Sequence, residues 1–233
     1  MTEMKTVVTI DGPSGAGKGT ISQLLAKELG WEFLDSGAIY RLCGLACTKA
    51  GIDFSDTAAI TEIAQSLDIA FKVTDEGLQT YLAGEEVSGQ LRTEQSGTAA
   101  SNIASIPEVR AALLQRQRDF AKPASATSAS DGLIADGRDM GTVVFANAAC
   151  KFYLTATAEE RANRRYKQLK SLGEDVNLAA ILQDIKDRDD RDMNRAVAPL
   201  KPAEDAIMID STDMSIEDVF KSLLAIISEN FLR

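Results

Sequence analysis

Residues 6–20 read TVVTIDGPSGAGKGT, and this stretch decides the fold. Thr6-Val7-Val8-Thr9-Ile10 is a short β-type run, closed by Asp11. After it, Gly12-Pro13-Ser14-Gly15-Ala16-Gly17-Lys18-Gly19-Thr20 is a glycine-rich turn. Ile21, Leu24, Leu25 and Leu29 then recur at helical spacing, and Gly30 is a natural stop. Strand, glycine-rich turn and helix in that order predict a phosphate-binding loop. Its backbone N–H groups must close around a polyphosphate, where several Cβ atoms would obstruct them. The helix N-terminus favours an anion, and Lys18 adds a point charge within reach of the β- and γ-phosphates. The bland alternative is a glycine-rich turn without a ligand.

The totals set limits on the rest. The chain has 233 residues, 45% of them hydrophobic, which suits one large domain with insertions. A net charge of −10 argues against a general nucleic-acid binder, which needs a basic face. No apolar run is long enough to span a membrane. The chain has no histidine, which removes triad and histidine-relay chemistry. Cys43, Cys47 and Cys150 are an odd number, and without histidine a zinc site lacks ligands. They read as free, partly buried thiols of a cytoplasmic protein.

Along the chain, Trp31–Leu34 predicts a second strand and about 40–50 a helix, so the order begins strand, helix, strand, helix. A helix follows at about 57–67. Ile69, Phe71 and Val73 alternate, as do Leu78, Thr80 and Leu82 beyond the turn Asp75-Glu76-Gly77. Glu85-Glu86-Val87 offers a third piece, so 68–92 predicts a small antiparallel insertion. A short helix is expected from Thr98 to about Ser105. Ser105 and Glu108 then form a capping-box pattern before a helix with Val109, Ala112, Leu113 and Phe120 inward, and Arg110, Arg116 and Arg118 mostly off that stripe. The Pro-, Ala- and Ser-rich segment 122–131 reads as a mobile surface connection. Strands are expected at 132–135, 152–154 and 207–210. Arg-rich helices are expected at about 158–172 and 178–192, and a closing helix opens with the box at Ser215–Asp218. The fold class is α/β: a three-layer α/β/α arrangement with a five-stranded parallel sheet, a β insertion and a charged helical excursion.

Phosphoryl transfer needs aligned phosphates, a metal, and positive charge where negative charge spreads in the transition state. Arg41 follows the second strand and Arg138 the third. Arg161, Arg164 and Arg165 share one helix; Arg188, Arg191 and Arg195 lie near the end of the next. Alone, 161–165 could be a solvated face, and Arg188-Asp189-Asp190-Arg191-Asp192 an ion-pair ladder. A phosphate loop upstream shifts both readings, because something must neutralise the phosphates once water is excluded. The candidate catalytic groups are Lys18, Arg138, Arg188, Arg191 and Asp136. The candidate ATP-binding groups are Gly12, Pro13, Ser14, Gly15, Ala16, Gly17, Lys18, Gly19 and Thr20, with Arg161 and Arg165. Asp136 ends a strand expected beside the first and is placed to orient a magnesium hydration shell; a strand-end turn aspartate is the alternative. Asp11 is less distinctive and fits a structural role.

Five blocks then carry a resemblance: GPSGAGKGT (12–20), LDSGAIYR (34–41), EEVSGQLRT (85–93), LIADGRDMGTVVF (133–145) and RDDRDMNRAVAPL (188–200). Together they resemble bacterial cytidylate kinases, from residue 5 to about 227. The resemblance implies a P-loop kinase of the nucleoside monophosphate kinase kind that moves the γ-phosphoryl of ATP to CMP or dCMP. Gly19 stands where the general motif has Ser or Thr, and the Lys-Gly-Thr ending resembles that family, in which Mg2+ comes with ATP and is held by phosphates and water. No direct protein ligand to metal is implied. Ser36, Arg41 and Arg138 are implied for the acceptor phosphate, and Ser101, Arg110 and Asp139 for cytosine. Arg188 and Asp192 are implied for the ribose and neighbouring groups. The implied division is a single P-loop kinase domain: a core of 1–36, 98–156 and 198–233, an acceptor-nucleotide region at 37–97 with its β insertion at 68–92, and a lid at 157–197. The partners implied are ATP and CMP or dCMP, with no nucleic acid and no membrane, for a cytoplasmic monomer.

Two competitors are distinguishable. A P-loop kinase for another acceptor, such as AMP, UMP or shikimate, does not need Ser101, Arg110 and Asp139 together. A non-catalytic nucleotide sensor is expected to lack Lys18 or the lid arginines, and neither is missing.

Overall fold

The computed structural model describes residues 5–74, 77–122, 130 and 132–231. In chain order the first elements are β1 (Thr6–Asp11), α1 (Lys18–Leu29), β2 (Glu32–Asp35), α2 (Ser36–Lys49) and α3 (Thr57–Gln65). Next come β3 (Ile69–Thr74), β4 (Gly77–Leu82), β5 (Glu85–Glu86), α4 (Glu94–Ile103) and α5 (Pro107–Asp119). The chain ends with β6 (Gly132–Gly137), β7 (Cys150–Thr155), α6 (Ala158–Ser171), α7 (Leu178–Asn194), β8 (Ile207–Asp210) and α8 (Ile216–Phe231).

The chain divides into two compact units, Met1–Asp35 with Arg118–Arg233, and Ser36–Gln117. The first holds the parallel sheet, in the order β2-β6-β1-β7-β8. Non-sequential neighbours require helical crossovers, which cover the sheet and bury its middle strands. Val8, Ile10, Ile134, Phe152 and Leu154 from the strands pack with Ile21 and Leu25 of α1 and Val219, Leu223 and Ile227 of α8. At such positions Leu→Ala costs about 2–5 kcal/mol. Gly132 lies beneath the Trp31 indole, where a Cβ would stand 2.1 Å from a ring carbon. The α8 cap is as expected: the Asp218 N–H donates to Ser215 Oγ at 3.1 Å. Gly30 ends α1 in the left-handed region at φ 65°.

In the second unit β3 and β4 pair antiparallel, with Ile69 opposite Leu82, and β5 adds to β4. The turn residues Asp75 and Glu76, and most of the 122–131 connection, lie outside the described residues.

Several expectations shift. Leu24, expected inward, is 39% exposed, because Ser22 and Ala26 take the buried positions of α1 beside Ile21 and Leu25. Helix α2 starts at Ser36, directly from β2, rather than at Tyr40. Helix α4 starts at Glu94, not Thr98, since the Thr93 hydroxyl caps it through the Ser96 N–H. Ser105 does not cap α5. Pro107 occupies its first position, Arg110 N–H donates to the Ile106 carbonyl, and the Ser105 hydroxyl donates to Asn102 instead. Arg110 is buried, with its guanidinium carbon 5.9 Å from the Tyr40 ring centroid. Cys43, Cys47 and Cys150 are free, as expected, and buried rather than partly buried.

Candidate active site

The loop of residues 12–20 joins β1 to α1, at the C-terminal end of the parallel sheet. Gly12 has φ 145°, and a Cβ there would meet the Leu154 carbonyl oxygen at 1.9 Å. Only glycine fits between β1 and β7 at this point. Gly15 and Gly17 follow at φ 79° and 93°. Three positive-φ glycines in six residues give the loop a backbone that other residues rarely adopt, of the kind from which anion-binding concavities are built.

Lys18 is 6% exposed. Its Nζ donates to the Pro13 carbonyl at 2.9 Å and stands 3.9 Å from Asp136 Oδ1. Asp136 comes from β6, which pairs with β1 so that Ile10 faces Asp136 and Asp11 faces Gly137. The adjacency of these strands, expected from sequence, is what brings lysine and carboxylate together. Burial, then the nearby Arg138 charge, pulls the Lys18 ammonium down to about 7, against the opposing pull of Asp136 and Asp11. The lysine is poised to gain from an anionic ligand. Gly19 faces the Asp136 carboxylate, and a Cβ there would sit 3.5 Å from Asp136 Oδ2.

Arg138 leaves β6 beside this pair. Its Nε donates to Asp192 Oδ2 at 3.0 Å and its Nη1 to the Gly137 carbonyl at 3.3 Å. Burial works against both charges, but Arg138 and Arg188 hold the Asp192 carboxyl below its usual range. Asp139 is buried, with Oδ1 3.7 Å from Arg195 Nη2. So α7 and the segment after it meet the end of β6 through two acid–base pairs. Leu200 N–H closes that segment by donating to the Asp192 carbonyl at 2.8 Å.

Arg161 is not on a solvated face. It is 4% exposed, donating from Nε to Ala156 O and from Nη1 to Ser14 O in the phosphate loop, and facing Asp189 through both nitrogens of its fork. Gly15 leaves room for it, since a Cβ there would stand 3.1 Å from Arg161 Cβ. The acidic residues of 188–192 therefore reach out of their own helix, Asp189 to Arg161 and Asp192 to Arg138. Arg188 is half-buried and its charge acts on both Lys18 and Asp192. Arg165 bonds Gln168 on its own helix, and Arg191 is exposed. Ser36, Arg41, Ser101 and Arg110 belong to the other compact unit, where all but the half-buried Arg41 are buried.

The partners of three charged groups are not legible in the sequence. Asp189 was one acid among several in a charged run. Arg164 reads like its neighbours in the sequence but ties α6 to the Ser211 hydroxyl and carbonyl. Asp11 accepts from Met140 and Gly141 N–H, at 2.8 and 2.7 Å, on the π-helical turn Met140–Val144. No local pattern marks a partner 129 residues away.

Residues 8–229 match the family model described as cytidylate kinase. A cytidylate kinase of Aeromonas hydrophila is 56% identical, covering 97% of this chain and 95% of that one. One from Stutzerimonas stutzeri is 52% identical over 97% and 96%. Among solved structures, shikimate kinase from Acinetobacter baumannii in complex with shikimate has a TM-score of 0.45 at 18% identity, over 98% of this chain and 96% of that chain.

Proposed function

We propose, from the premise that this chain belongs to the cytidylate kinase family, the following division of labour among its residues. The enzyme transfers the γ-phosphoryl group of ATP to CMP or dCMP, giving ADP and CDP or dCDP. The observation that carries the residue assignment is Lys18 in a glycine-built loop, 3.9 Å from Asp136, with Arg138 on the same strand end.

Residues 12–20 take the ATP phosphates, with Lys18 on the β- and γ-oxygens. Arg161 and Arg165 serve the ATP side, and Arg161 already braces the loop through Ser14 O. Arg138, Arg188 and Arg191 supply charge to the transferring group. An acceptor phosphate oxygen attacks the γ-phosphorus in line, a new P–O bond forms, and the bond to the β–γ bridging oxygen breaks as ADP leaves. The attacking oxygen is already anionic, so no general base is assigned. Mg2+ entering with ATP would supply charge neutralisation at the phosphates, and Asp136, facing the Cβ-free Gly19, would hold its hydration shell.

The Asp139 carboxylate accepts from the cytosine exocyclic amine, whereas uracil presents a carbonyl that it repels. The roles of Ser36, Arg41, Ser101 and Arg110 toward the acceptor, and of Asp192 toward the ribose, come from family resemblance. So does the division into core, acceptor region at 37–97 and lid at 157–197. Among the described residues no helix is long and apolar enough to cross a membrane, and we read the enzyme as a cytoplasmic monomer acting on ATP and CMP or dCMP.

The test is a coupled ADP-release assay with ATP–Mg against CMP, dCMP, UMP and AMP at equal concentration. Fast turnover of CMP and dCMP with slow UMP is the expected result. Equal use of UMP removes Asp139 from base recognition, and no turnover with any of the four overturns the assignment.

A further inference from the structure

Asp11 is the last residue of β1 and the one before Gly12. It is 3% exposed. Both carboxylate oxygens are spent on backbone: Oδ1 on Met140 N–H and Oδ2 on Gly141 N–H. These donors open the Met140–Val144 turn, where the first N–H groups lack partners within the turn. The later ones are served internally, Val143 and Val144 by the Asp139 carbonyl and Phe145 by the Met140 carbonyl. A carboxylate from the neighbouring strand thus caps the turn. The cap has no slack: a Cβ on Gly141 would stand 2.9 Å from Thr9 Oγ1, 3.1 Å from Lys151 Cδ and 3.3 Å from Asp11 Oδ2.

The residues just before the capped turn are Arg138 and Asp139. Their side chains meet α7 and the segment after it, through Asp192 and Arg195. Their backbone is set by β6 on one side and by the turn on the other. We propose that Asp11 is a positioning residue for the acceptor nucleotide: by holding the Met140 and Gly141 amides it fixes the directions in which Arg138 and Asp139 leave the sheet. This inference rests on the reading that Arg138 and Asp139 meet the acceptor.

The choice of residue supports a role beyond packing. The two amides are taken by separate oxygens of the carboxylate, whereas a carboxamide has one oxygen and would turn an NH2 donor toward the second amide. Burying that carboxylate is costly, and burial drives the Asp11 carboxyl up to about 7 in spite of the two amide bonds. A merely structural turn is made at less cost by a neutral cap.

The experiment is steady-state kinetics on Asp11→Asn and Gly141→Ala, with KM for CMP and for ATP measured separately, and with Arg138→Ala and Asp139→Ala as references. Gly141→Ala pushes the turn away from Thr9, Lys151 and Asp11 without altering a residue of the phosphate loop, so it carries the test if Asp11→Asn fails to fold. For either variant, loosening the Asp11 hold on the turn should raise the KM for CMP about tenfold and shrink the CMP-over-UMP preference by a similar factor, while the KM for ATP stays within about twofold. If CMP and ATP suffer equally, or neither is affected while Asp139→Ala acts, the positioning role is overturned. If Arg138→Ala and Asp139→Ala themselves leave CMP use unchanged, the underlying reading fails and the inference with it.

Discussion

Arg161 and Asp189 face each other as a two-pronged pair, Nη2 to Oδ2 at 2.6 Å and Nη1 to Oδ1 at 3.1 Å, while the same Nη1 also donates to Ser14 O. One guanidinium thus joins α6, α7 and the phosphate loop. Breaking a buried pair by deleting one partner costs about 3–5 kcal/mol, because the other charge stays behind unpaired. Asp189→Asn and Arg161→Lys should each lower the melting temperature, and the double variant should lose less than the sum. A coupling of roughly 1 kcal/mol or more in that cycle, from denaturant titrations, marks them as one unit. Strict additivity contradicts it.

Lys18→Ala should cut turnover by at least about 100-fold, as expected for a donor aimed at charge that develops in the transition state. It should not lower the melting temperature of the free protein, because it removes a buried charge already held down to about 7. Thermal melts beside the ADP-release assay check both halves. Near-normal turnover removes Lys18 from the chemistry.

Asp139→Ala should reduce the CMP-over-UMP preference about ten- to a hundredfold, the worth of one buried acceptor that discriminates between amine and carbonyl. The check is the ratio of kcat/KM values for the two nucleotides. An unchanged ratio rules out Asp139 as the base reader.

Gly12 and Gly17 differ in a way stability can read. Gly12→Ala drives a Cβ to 1.9 Å from a backbone carbonyl, so β1 and β7 must separate; a loss of roughly 4 kcal/mol or failure to fold is expected. Gly17→Ala meets nothing within 4 Å and carries only the strain of φ 93°, about 1–2 kcal/mol. Equal losses in urea titrations contradict the assignment of the Gly12 effect to collision.

The pH dependence has two arms. Burial raises the Asp11 carboxyl from 3.8 to about 7, so between those values the folded chain holds a proton that the unfolded chain has lost. Its contribution is present below pH 4 and disappears as pH rises through 7. Lys18 is lowered from 10.5 to about 7, so its contribution is present above pH 10.5 and disappears as pH falls through 7. The two place a stability minimum near pH 7 in the ligand-free protein. Asp11→Asn should flatten the acid arm, and a minimum unmoved by that change contradicts the account. ATP should restore the Lys18 charge, giving proton uptake near pH 8, measurable by titration calorimetry in buffers of different ionisation enthalpy. Lys18→Arg, always charged, should lose that uptake.

Much of the fold was legible because its determinants are local. The β-type run 6–10, the glycines of 12–19, the helical spacing after Lys18 and the stop at Gly30 all act within a few residues of one another. The β insertion was legible for the same reason, since alternation marks a half-buried strand whatever surrounds it. Local patterns misled where a second local rule outranked the first. The Ser105 box gave way to Pro107, which moved the helix start by one residue. Leu24 lost the inward face of α1 to the smaller Ser22 and Ala26.

By itself the sequence determined a phosphate-binding loop between a strand and a helix, a parallel α/β core, and a supply of arginines and acids in the right segments. It did not determine how those charges pair. Asp189 lies beside Arg188 and two residues from Arg191 in the chain, yet faces Arg161, 28 residues away. Asp192 crosses to Arg138, and Asp11 spends both oxygens on a turn 129 residues on. Those choices follow from strand order. Only when β6 and β7 flank β1 do Asp11, Asp136, Arg138 and the α7 acids converge at one end of the sheet. Once buried there, each charge and each amide must take whatever partner the packing brings within reach, because leaving it unpaired costs more than any local preference.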